Sequence, residues 1–309
     1  MPPVSVVIVS FRTPHLTRNA VMSALSSGVD EVVVVDNDSR DASLEILSEI
    51  EDPRLKVLIN PTNVGFGTGA NRAVRESTAP SILFLNSDAT ATPSACATLL
   101  AELDRHAGRC IVGSRLIGSN GEVQRSAGLL PRPSDLTVRA LGIHRLAAFL
   151  RRVPIVGRMT SGSAMAREYD IAIQATESAD VTMVSGACFV IGREAFAEIG
   201  GFDERFFLYF EDADLCRRAA AAGMSIRFVP TAEVAHVGGA SSPDDYHFGA
   251  FHARSMRQYL AKWYGWKGGS LALVLLWLRA MGMSMTMRPS ARTAWTSLRA
   301  AARDEDPRG

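Results

Sequence analysis

Short runs of consecutive apolar residues alternate with helix-length segments along the N-terminal part of the chain. The runs are rich in β-branched residues, which is typical of strands that are covered on both faces of a sheet. They predict strands at Val4–Ser10, Glu31–Asp36, Leu55–Asn60 and Ser81–Leu85. Helices are predicted after these strands, at Thr13–Ser27, Asp41–Ile50, Ala70–Ser77 and Pro93–His106. Because alternating strands and helices form parallel βαβ units, the pattern predicts an α/β fold with a mostly parallel sheet flanked by helices.

The pattern becomes less regular beyond these helices. Cys110–Ser114 predicts a further short strand, and the Asn-Gly pair within Ser119–Glu122 predicts a tight turn. Residues 131–180 lose the regular periodicity, and we interpret them as a basic insertion that is helical over Leu136–Arg152. Strand and helix signals then return at Val181–Ile191 and Arg193–Ile199. Gly186 lies within that strand, where a small residue lets a ligand or another backbone approach closely.

The stretch from Gly200 to His236 combines aromatic residues, acids and a helix. The acids Glu211, Asp212 and Asp214 come just before a helix predicted over Leu215–Ala222, so they lie against the positive end of its dipole. An Asp that is held ionised beside an apolar wall suits a general base. Two short strands are predicted after the helix, at Ile226–Pro230 and Glu233–His236. The simpler interpretation is an acidic helix cap and a surface histidine.

Polar residues stand at the carboxyl ends of the predicted strands, where parallel sheets bind ligands. They are Ser10, Asp36, Asn37, Asn60 and Asp88. A carboxylate at such a place is a suitable ligand for Mg²⁺ or Mn²⁺, which prefers oxygen donors and is usually completed by substrate phosphates. One Asp and one His beside a bound diphosphate would be enough to hold the cation.

A glycine-rich run, Gly65–Gly69, follows the third predicted strand. Its backbone N–H groups are able to approach an anionic ligand, although such a loop is a weak signal by itself. Asp36 and Asn37, at the neighbouring strand end, are placed to hydrogen-bond a base or a ribose. These features together favour a nucleotide ligand.

Charge is unevenly distributed although the net charge is only +1. Residues 132–167 contain seven arginines and one acid, and residues 266–303 contain six basic residues and no acid. Both segments are also apolar, which favours an anionic membrane surface over nucleic acid. The four cysteines lie far apart without a CxxC pair, which argues against a zinc site and a disulfide framework. The first twelve residues lack a charged segment ahead of an apolar one, so we expect no secretory signal.

The C-terminal segment is strongly apolar from Ser270 to Met287 but carries Arg279 near its centre. Its uninterrupted apolar part is shorter than the roughly 20 residues that a spanning helix needs. The pattern favours an interfacial helix flanked by basic residues. A helix packed on protein, including on a second copy of the chain, and a spanning helix are the alternatives.

Several segments resemble the motifs of family 2 glycosyltransferases in their order and spacing. The segments are VSVVIVSF, VVVVDNDSRD, NVGFGTGANRAV, LFLNSDA, SGACFVI, GGFDERFFLYFEDADLCRR and VAHVGGAS. The resemblance covers about residues 4–240 and is greatest to the rhamnosyltransferase-like branch that builds bacterial cell-surface polysaccharides. It implies a GT-A fold and an inverting transfer from a nucleotide-diphosphate sugar. The domain prediction is a GT-A domain at residues 1–265, containing the insertion, and a helical tail at residues 266–309.

The resemblance also implies roles for individual residues. The metal and diphosphate element of the family falls on Asn86-Ser87-Asp88, and His236 matches a second metal ligand. Asp212 matches the catalytic base and Asp36 the contact to the nucleotide base. The implied donor nucleotide-binding residues are Ser10, Asp36, Asn37, Gly67, Asn71 and Asp88. The implied acceptor-side residues are Gly186, Glu211 and Asp214.

The chain departs from the family pattern at two points. Phe11 and Arg12 stand where the family often has Tyr-Asn, which puts details of nucleotide choice in doubt. Ser87 stands where Pro is common, but Asp88 is kept.

The expected partners are a nucleotide-diphosphate sugar (dTDP-rhamnose or a UDP-sugar), a polyprenyl-linked or glycan acceptor, and an anionic membrane surface. We expect a peripheral location on the cytoplasmic face of the plasma membrane, with the tail as a possible site of homo-oligomer formation. Three other classes stay open: a sugar nucleotidyltransferase, a polyprenyl-phosphate sugar synthase, which needs Asp212 less, and a non-catalytic sugar-binding protein.

Overall fold

The structure, a computed structural model, describes residues 2–134, 171–238, 245–285 and 291–303. Its strands are β1 (Val4–Ser10), β2 (Glu31–Asp36), β3 (Leu55–Ile59), β4 (Ser81–Leu85), β5 (Ala89–Ala91), β6 (Cys110–Ile117), β7 (Ala127–Gly128), β8 (Ala179–Asp180), β9 (Met183–Val184), β10 (Cys188–Gly192) and β11 (Ser225–His236). Its helices are α1 (Pro14–Ser26), α2 (Ser43–Ser48), α3 (Phe66–Glu76), α4 (Pro93–Arg105), α5 (Arg193–Glu198), α6 (Glu211–Ala221), α7 (Asp245–Met285) and α8 (Ala291–Arg303).

The main sheet has the strand order β3-β2-β1-β4-β10-β6-β11-β5, and β8 pairs with β11. The pairs β2–β3, β1–β2, β1–β4 and β6–β11 are parallel, as expected from the βαβ pattern. Strand β10 is antiparallel to both β4 and β6. The prediction of an α/β fold with a mostly parallel sheet is confirmed.

Strand β1 shows why a continuous apolar run forms the centre of this sheet. All of its residues are buried. Val4, Val6 and Ile8 join one hydrophobic cluster, together with residues of α1 and α4. Val7 and Val9 join a second cluster, with residues of α3, α5 and α6. Because successive strand side chains point to opposite faces, a strand with helices on both faces is apolar at most positions. The buried Ser5 and Ser10 are the polar positions of β1, and their hydroxyl groups are hydrogen-bonded.

Several predicted boundaries differ from the structure. The run Val181–Ile191 is divided: β9 pairs with β7 in a separate two-stranded sheet, and only β10 enters the main sheet. A Cβ atom on Gly113 would lie 2.5 Å from Cβ of Val184, so β9 crosses β6 where only glycine fits. The two short strands predicted before His236 are one strand, β11, with an irregular register between Val229 and Glu233.

Helix α6 begins at Glu211, four residues before the predicted start at Leu215, so the acids form its first turn. Strand β5 was missed because its three residues are too short for a periodic signal. The helix predicted over Leu136–Arg152 lies outside the described residues, as does most of the predicted insertion.

The described chain divides into two compact units. The first comprises residues 2–130, 171–205 and 211–238, and holds the main sheet with helices α1 to α6. The second comprises residues 131–134, 206–210, 245–285 and 291–303. The predicted domain boundary after residue 265 stays a prediction.

Helices α7 and α8 pack together in the second unit, where Nη1 of Arg257 donates to the carbonyl oxygen of Ala301 at 2.8 Å. The aromatic segment 206–210 belongs to the same unit: the rings of Phe207 and Phe251 stack with centroids 4.6 Å apart. Helix α7 is interrupted at Gly265, whose φ of 68° and ψ of −165° are not helical. Of the helices that the structure describes, none combines the length and apolar character needed to cross a membrane.

All four cysteine side chains are buried in the first unit and none is in a disulfide. Burial raises the pKa of the Cys110, Cys188 and Cys216 thiols to about 12. Burial also raises the pKa of Cys96. These side chains therefore behave as small core residues.

Candidate active site

The strand directions bring the predicted site residues of the first unit to one edge of the sheet. Strands β1, β2, β3 and β4 run in the same direction, and so do β6 and β11. Since β10 is antiparallel to both β4 and β6, β4 and β11 are themselves parallel. The carboxyl ends of β4 and β11, and the amino end of β10, therefore lie at the same edge.

Asp88 and His236 are in contact at this edge. Nε2 of His236 lies 3.3 Å from Oδ1 of Asp88. The backbone N–H of Gly238 donates to Oδ2 of Asp88 at 3.0 Å, and that of Val237 donates to the Asp88 carbonyl oxygen at 3.0 Å. The two side chains are 6% and 13% exposed. The pairing of β5 with β11 sets this arrangement, because it places His236 opposite Ala89.

Gln124 holds the imidazole of His236 from its other side. Oε1 of Gln124 lies 2.7 Å from Nδ1 of His236, and Nε2 of Gln124 donates to the His236 carbonyl oxygen at 2.9 Å. In the neutral tautomer with the proton on Nδ1, the ring donates to Gln124 and the lone pair of Nε2 points toward Asp88. Such an outer hydrogen bond is how metal-binding histidines are usually oriented.

A divalent cation fits this pair by the chemistry of its donor atoms. Asp88 offers a carboxylate oxygen and His236 an imidazole nitrogen, and both types bind Mn²⁺. No group of three or more His, Cys, Asp or Glu side chains suitable for a metal occurs among the described residues. The pair therefore fits a cation whose coordination is completed by substrate phosphates, and does not form a full protein cage.

Asp212 lies in the first turn of α6, in contact with Gly186 of the loop before β10. Its Oδ2 accepts a hydrogen bond from the backbone N–H of Gly186 at 3.1 Å, and its Oδ1 accepts one from that of Ala213 at 2.7 Å. Burial raises the pKa of Asp212, and the two backbone hydrogen bonds oppose that rise. A carboxylate that is oriented by two donors and is more basic than an ordinary Asp suits proton abstraction at neutral pH.

The loop before β10 connects Asp212 to the Asp88 loop. The backbone N–H of Asn86 donates to the carbonyl oxygen of Ala187 at 2.9 Å. The neighbouring Gly186 N–H donates to Asp212. Residues 186–187 therefore contact both functional elements. A Cβ atom on Gly186 would lie 3.5 Å from Cβ of Asp212, which is an ordinary contact.

Glu211 is a second carboxylic acid beside Asp212. It is 7% exposed, and its Oε2 has no hydrogen-bond partner within the described part of the chain. Burial, and secondly the charge of Asp212, raises the pKa of Glu211 to about 8. Near neutral pH Glu211 is thus largely protonated.

Asp214 points away from Asp212, because residues two apart on a helix are separated by about 200°. It is fully buried, and its Oδ2 accepts from Nε of Arg218 at 2.8 Å. Arg218 also donates to the carbonyl oxygen of Ile199. The ion pair lies within α6 and orients Arg218, whose hydrogen bond to Ile199 connects α6 to the loop after α5. The acceptor-side role of Asp214 stays a prediction.

The predicted donor residues Asp36 and Asn37 lie together at the carboxyl end of β2. Asp36 is 1% exposed and accepts from the backbone N–H and the hydroxyl of Ser39. Asn37 joins three elements: its Nδ2 donates to the carbonyl oxygen of Gly65 at 2.9 Å, and its Oδ1 accepts from Nδ2 of Asn60 at 2.6 Å. Its own backbone N–H donates to the Ser10 carbonyl oxygen at 2.8 Å. Asn37 therefore ties the glycine-rich loop to the ends of β1 and β3.

Ser10 is the first member of a chain of buried hydroxyl groups. Its Oγ lies 2.8 Å from Oγ1 of Thr17, which lies 3.0 Å from Oγ1 of Thr13. Thr13 donates to Oγ of Ser87 at 3.0 Å. The chain of hydroxyl groups connects the end of β1 to the residue before Asp88.

Gly67 and Asn71, on α3, contact Phe202 of the loop before α6. The backbone N–H of Phe202 donates to Oδ1 of Asn71, and Nδ2 of Asn71 donates to the Phe202 carbonyl oxygen, both at 2.9 Å. A Cβ atom on Gly67 would lie 3.0 Å from Cβ of Phe202. The structure gives these two residues a packing role, and their predicted contact with the nucleotide stays a prediction.

Sequence reasoning missed Gln124 and the hydroxyl groups of Thr13 and Thr17. No motif marks Gln124, whose partner His236 is distant in the sequence. The sequence offered one indication of a role for Thr17, because it is a polar residue on the buried, otherwise apolar side of α1.

Comparison with known proteins agrees with this geometry. A sequence model described as glycosyl transferase family 2 matches residues 5–200, and one described as glycosyl transferase family group 2 matches residues 137–302. The chain is 28% identical, over 294 residues, to N-acetylglucosaminyl-diphospho-decaprenol L-rhamnosyltransferase of Mycobacterium tuberculosis, covering 90% of this chain and 91% of the relative.

Two solved structures show the same fold. A mannosyltransferase from Pyrobaculum calidifontis, in complex with GDP-Man and Mn²⁺, superposes with a TM-score of 0.58 at 14% identity, covering 99% of this chain and 88% of that one. GalNAc-T7 with UDP, GalNAc and Mn²⁺ superposes with a TM-score of 0.53 at 15% identity, covering 76% of this chain and 43% of that one. The predicted GT-A type of fold is confirmed. With a family match over most of the first unit, the chain belongs to glycosyl transferase family 2.

Proposed function

We propose that this glycosyltransferase moves a sugar, rhamnose in the favoured case, from a nucleotide-diphosphate donor to an acceptor hydroxyl with inversion at the anomeric carbon. The acceptor we propose is a polyprenyl-linked or cell-envelope glycan. The similarity to a rhamnosyltransferase whose name specifies a diphospho-decaprenol acceptor supports both choices. The contact of residues 186–187 with both Asp212 and the Asp88 loop is the observation that carries the proposal.

The donor would lie along the edge formed by β1, β2 and β4. Asp36 and Asn37 are placed to orient the base and ribose, because they stand at the end of β2 beside the glycine-rich loop. Asp88 and His236 would hold Mg²⁺ or Mn²⁺ against the diphosphate. When bound, such a cation neutralises the charge that grows on the leaving diphosphate.

Asp212 would take the proton from the acceptor hydroxyl as that oxygen attacks the anomeric carbon from the face opposite the diphosphate. The hydrogen bonds from Gly186 and Ala213 hold the carboxylate in one orientation, and burial makes it more basic. Glu211, largely protonated, limits the negative charge beside Asp212. A single displacement of this kind requires inversion.

The position of Asp212 favours a hydroxyl acceptor over a phosphate acceptor, because a phosphate is already ionised and needs no base. A polyprenyl-phosphate sugar synthase would therefore not need a carboxylate that the N–H groups of Gly186 and Ala213 orient as a base. A nucleotidyltransferase would likewise not need a base on α6.

The test is an assay of the purified full-length protein with a panel of dTDP-, UDP- and GDP-sugars and a diphospho-polyprenyl glycan acceptor. We expect transfer from one donor, with release of nucleoside diphosphate and an inverted anomeric centre in the product by NMR. A retained centre would contradict the single displacement. Release of diphosphate from a nucleoside triphosphate would instead support a nucleotidyltransferase, and transfer to a polyprenyl phosphate would support a synthase.

A further inference from the structure

The second half of α7, beyond Gly265, has two different apolar faces. Gly268, Ala272, Leu275, Leu276 and Ala280 are buried. The exposed side chains include Lys267, Ser270 and five that are large and apolar: Trp266 (76% exposed), Val274 (51%), Trp277 (46%), Leu278 (36%) and Met281 (37%). At about 100° per residue, these five side chains lie within about 120° of the helix circumference, opposite the buried set. We call them the exposed stripe.

The exposed stripe is long, and the exposed side chains of Lys267 and Ser270 lie in the same sector of the helix. From Trp266 to Met281 it runs for about 22 Å, at 1.5 Å per residue. Monomeric proteins rarely expose apolar patches of this extent unless the patch binds a membrane or a partner. Single exposed apolar residues need no such explanation, but five on one helix face do.

Charge indicates which partner covers the stripe. Residues 266–303 carry Lys267, Arg279, Arg288, Arg292, Arg299 and Arg303, and no acid. Lys267 and Arg299 are exposed in the structure. The ammonium group of Lys267 lies 5.9 Å from the ring centroid of Trp266, at one end of the stripe. A second copy of the chain would bring two basic segments together, whereas an anionic headgroup layer would neutralise them.

We propose that the exposed stripe docks on the surface of an anionic lipid bilayer, with the helix lying in the plane of the membrane. Tryptophan is preferred where an apolar surface meets water, and lysine extends its charge into the headgroup layer. The buried face of the same helix segment stays in contact with protein, so only the stripe enters the lipid. The proposal agrees with the peripheral location expected from the sequence, and it is independent of the sugar transfer because docking is measured without substrate.

The test is flotation of the full-length protein with vesicles of phosphatidylcholine alone or mixed with phosphatidylglycerol. We expect the wild type to float with the anionic vesicles, and Trp266→Ser/Trp277→Ser to lower its partition coefficient by about tenfold or more. The matched control is Ile59→Ser, which removes an apolar side chain that is 54% exposed on β3 of the first unit. We expect it to float like the wild type. Lys267→Glu should weaken binding to anionic vesicles and leave binding to neutral ones unchanged.

Tryptophan fluorescence supplies a second measurement on the intact wild type. Lipids brominated near the headgroup should quench the emission, and the quenching should be lost in the double variant and kept in Ile59→Ser. Equal flotation of the double variant and the wild type would overturn the proposal. So would the absence of any vesicle binding. A lipid-free wild-type dimer that becomes a monomer in the double variant would overturn it in favour of a second copy of the chain.

Discussion

Nε2 of His236 lies 3.3 Å from Oδ1 of Asp88, although the two residues stand at the ends of strands from opposite halves of the chain. Their proximity depends on β5, which pairs His236 with Ala89 directly after Asp88. One acid and one imidazole brought together in this way would offer two donor atoms to a divalent cation, and a substrate diphosphate would complete its coordination.

We expect Asp88→Ala and His236→Ala each to weaken binding of the nucleotide-sugar donor and to remove its dependence on Mg²⁺ or Mn²⁺. The reason is that each change removes one of the two protein donor atoms from the cation. Donor affinity measured by calorimetry with and without EDTA checks this. His106→Ala, at the residue that follows α4, is the control and should keep an EDTA-sensitive affinity. If both site variants also keep it, the cation binds elsewhere.

Gln124→Leu tests whether Gln124 orients the imidazole of His236, and it leaves both predicted metal ligands in place. The change removes the partner of Nδ1 and leaves a side chain of similar size. Loss of such an outer hydrogen bond typically lowers metal affinity by about 10–100-fold. The metal concentration that gives half-maximal donor binding should rise by this factor, while donor affinity at saturating metal stays close to that of the wild type. An unchanged metal requirement would show that Gln124 does not orient the ring.

Asp212→Asn should abolish sugar transfer and leave donor affinity nearly unchanged. The amide keeps the shape of the side chain but cannot accept the proton of the acceptor hydroxyl. Loss of a general base usually lowers the rate by about 10²–10⁴-fold. Steady-state rates and donor titrations on the same preparation check this, with Asp104→Asn on the exposed side of α4 as the control. Near-normal turnover of the Asp212 variant would transfer the role to Glu211 or to another base.

The raised pKa of Glu211 predicts that the stability of the fold depends on pH. Its pKa is raised by burial from 4.5 to about 8, so the folded state holds the proton more tightly than the unfolded chain. This contribution to stability is complete below about pH 4.5 and is lost as the pH rises through about 8. Glu211→Gln should therefore lose less thermal stability than the wild type between these two pH values.

The unfolding temperature across that range measures the effect of Glu211. Glu51→Gln, at an exposed position, should follow the wild-type curve. Parallel curves for Glu211→Gln and the wild type would show that Glu211 ionises normally.

Thr17→Val tests the chain of hydroxyl groups that joins Ser10 to Ser87. Valine has the shape of threonine but leaves the buried hydroxyls of Ser10 and Thr13 without this partner. We expect a loss of about 1–3 kcal/mol in the free energy of unfolding. Chemical denaturation measures it, and Thr98→Val, whose hydroxyl bonds only to its own helix, should change little. A smaller loss at Thr17 than at Thr98 would contradict a structural role for these hydroxyl groups.

The positions of Ser10, Asp36 and Asp88 were predictable because parallel strands place their carboxyl ends at one edge whatever the helices do. The orientation of β10 was not, because an apolar run has the same pattern in a parallel and in an antiparallel strand. For the same reason the sequence could not show that Asn86 pairs with Ala187 beside Asp212.

The start of α6 and the role of Asn71 show two other limits. Acids in the first turn of a helix and acids just before it look alike in sequence, and only backbone geometry separates them. Asn71 lies in a motif that resembles donor-binding segments. Its side-chain amide nevertheless forms hydrogen bonds with both the N–H and the carbonyl oxygen of Phe202. Such a long-range contact leaves no local pattern.

The burial of all four cysteines has a practical consequence for experiments on this protein. Thiols that ionise only at strongly alkaline pH react slowly with maleimides and methanethiosulfonates near neutrality. The natural chain therefore needs no cysteine removed before site-directed labelling. A single cysteine placed at an exposed position such as Trp277 would carry a spin label or fluorophore selectively, and its signal would belong to that one site.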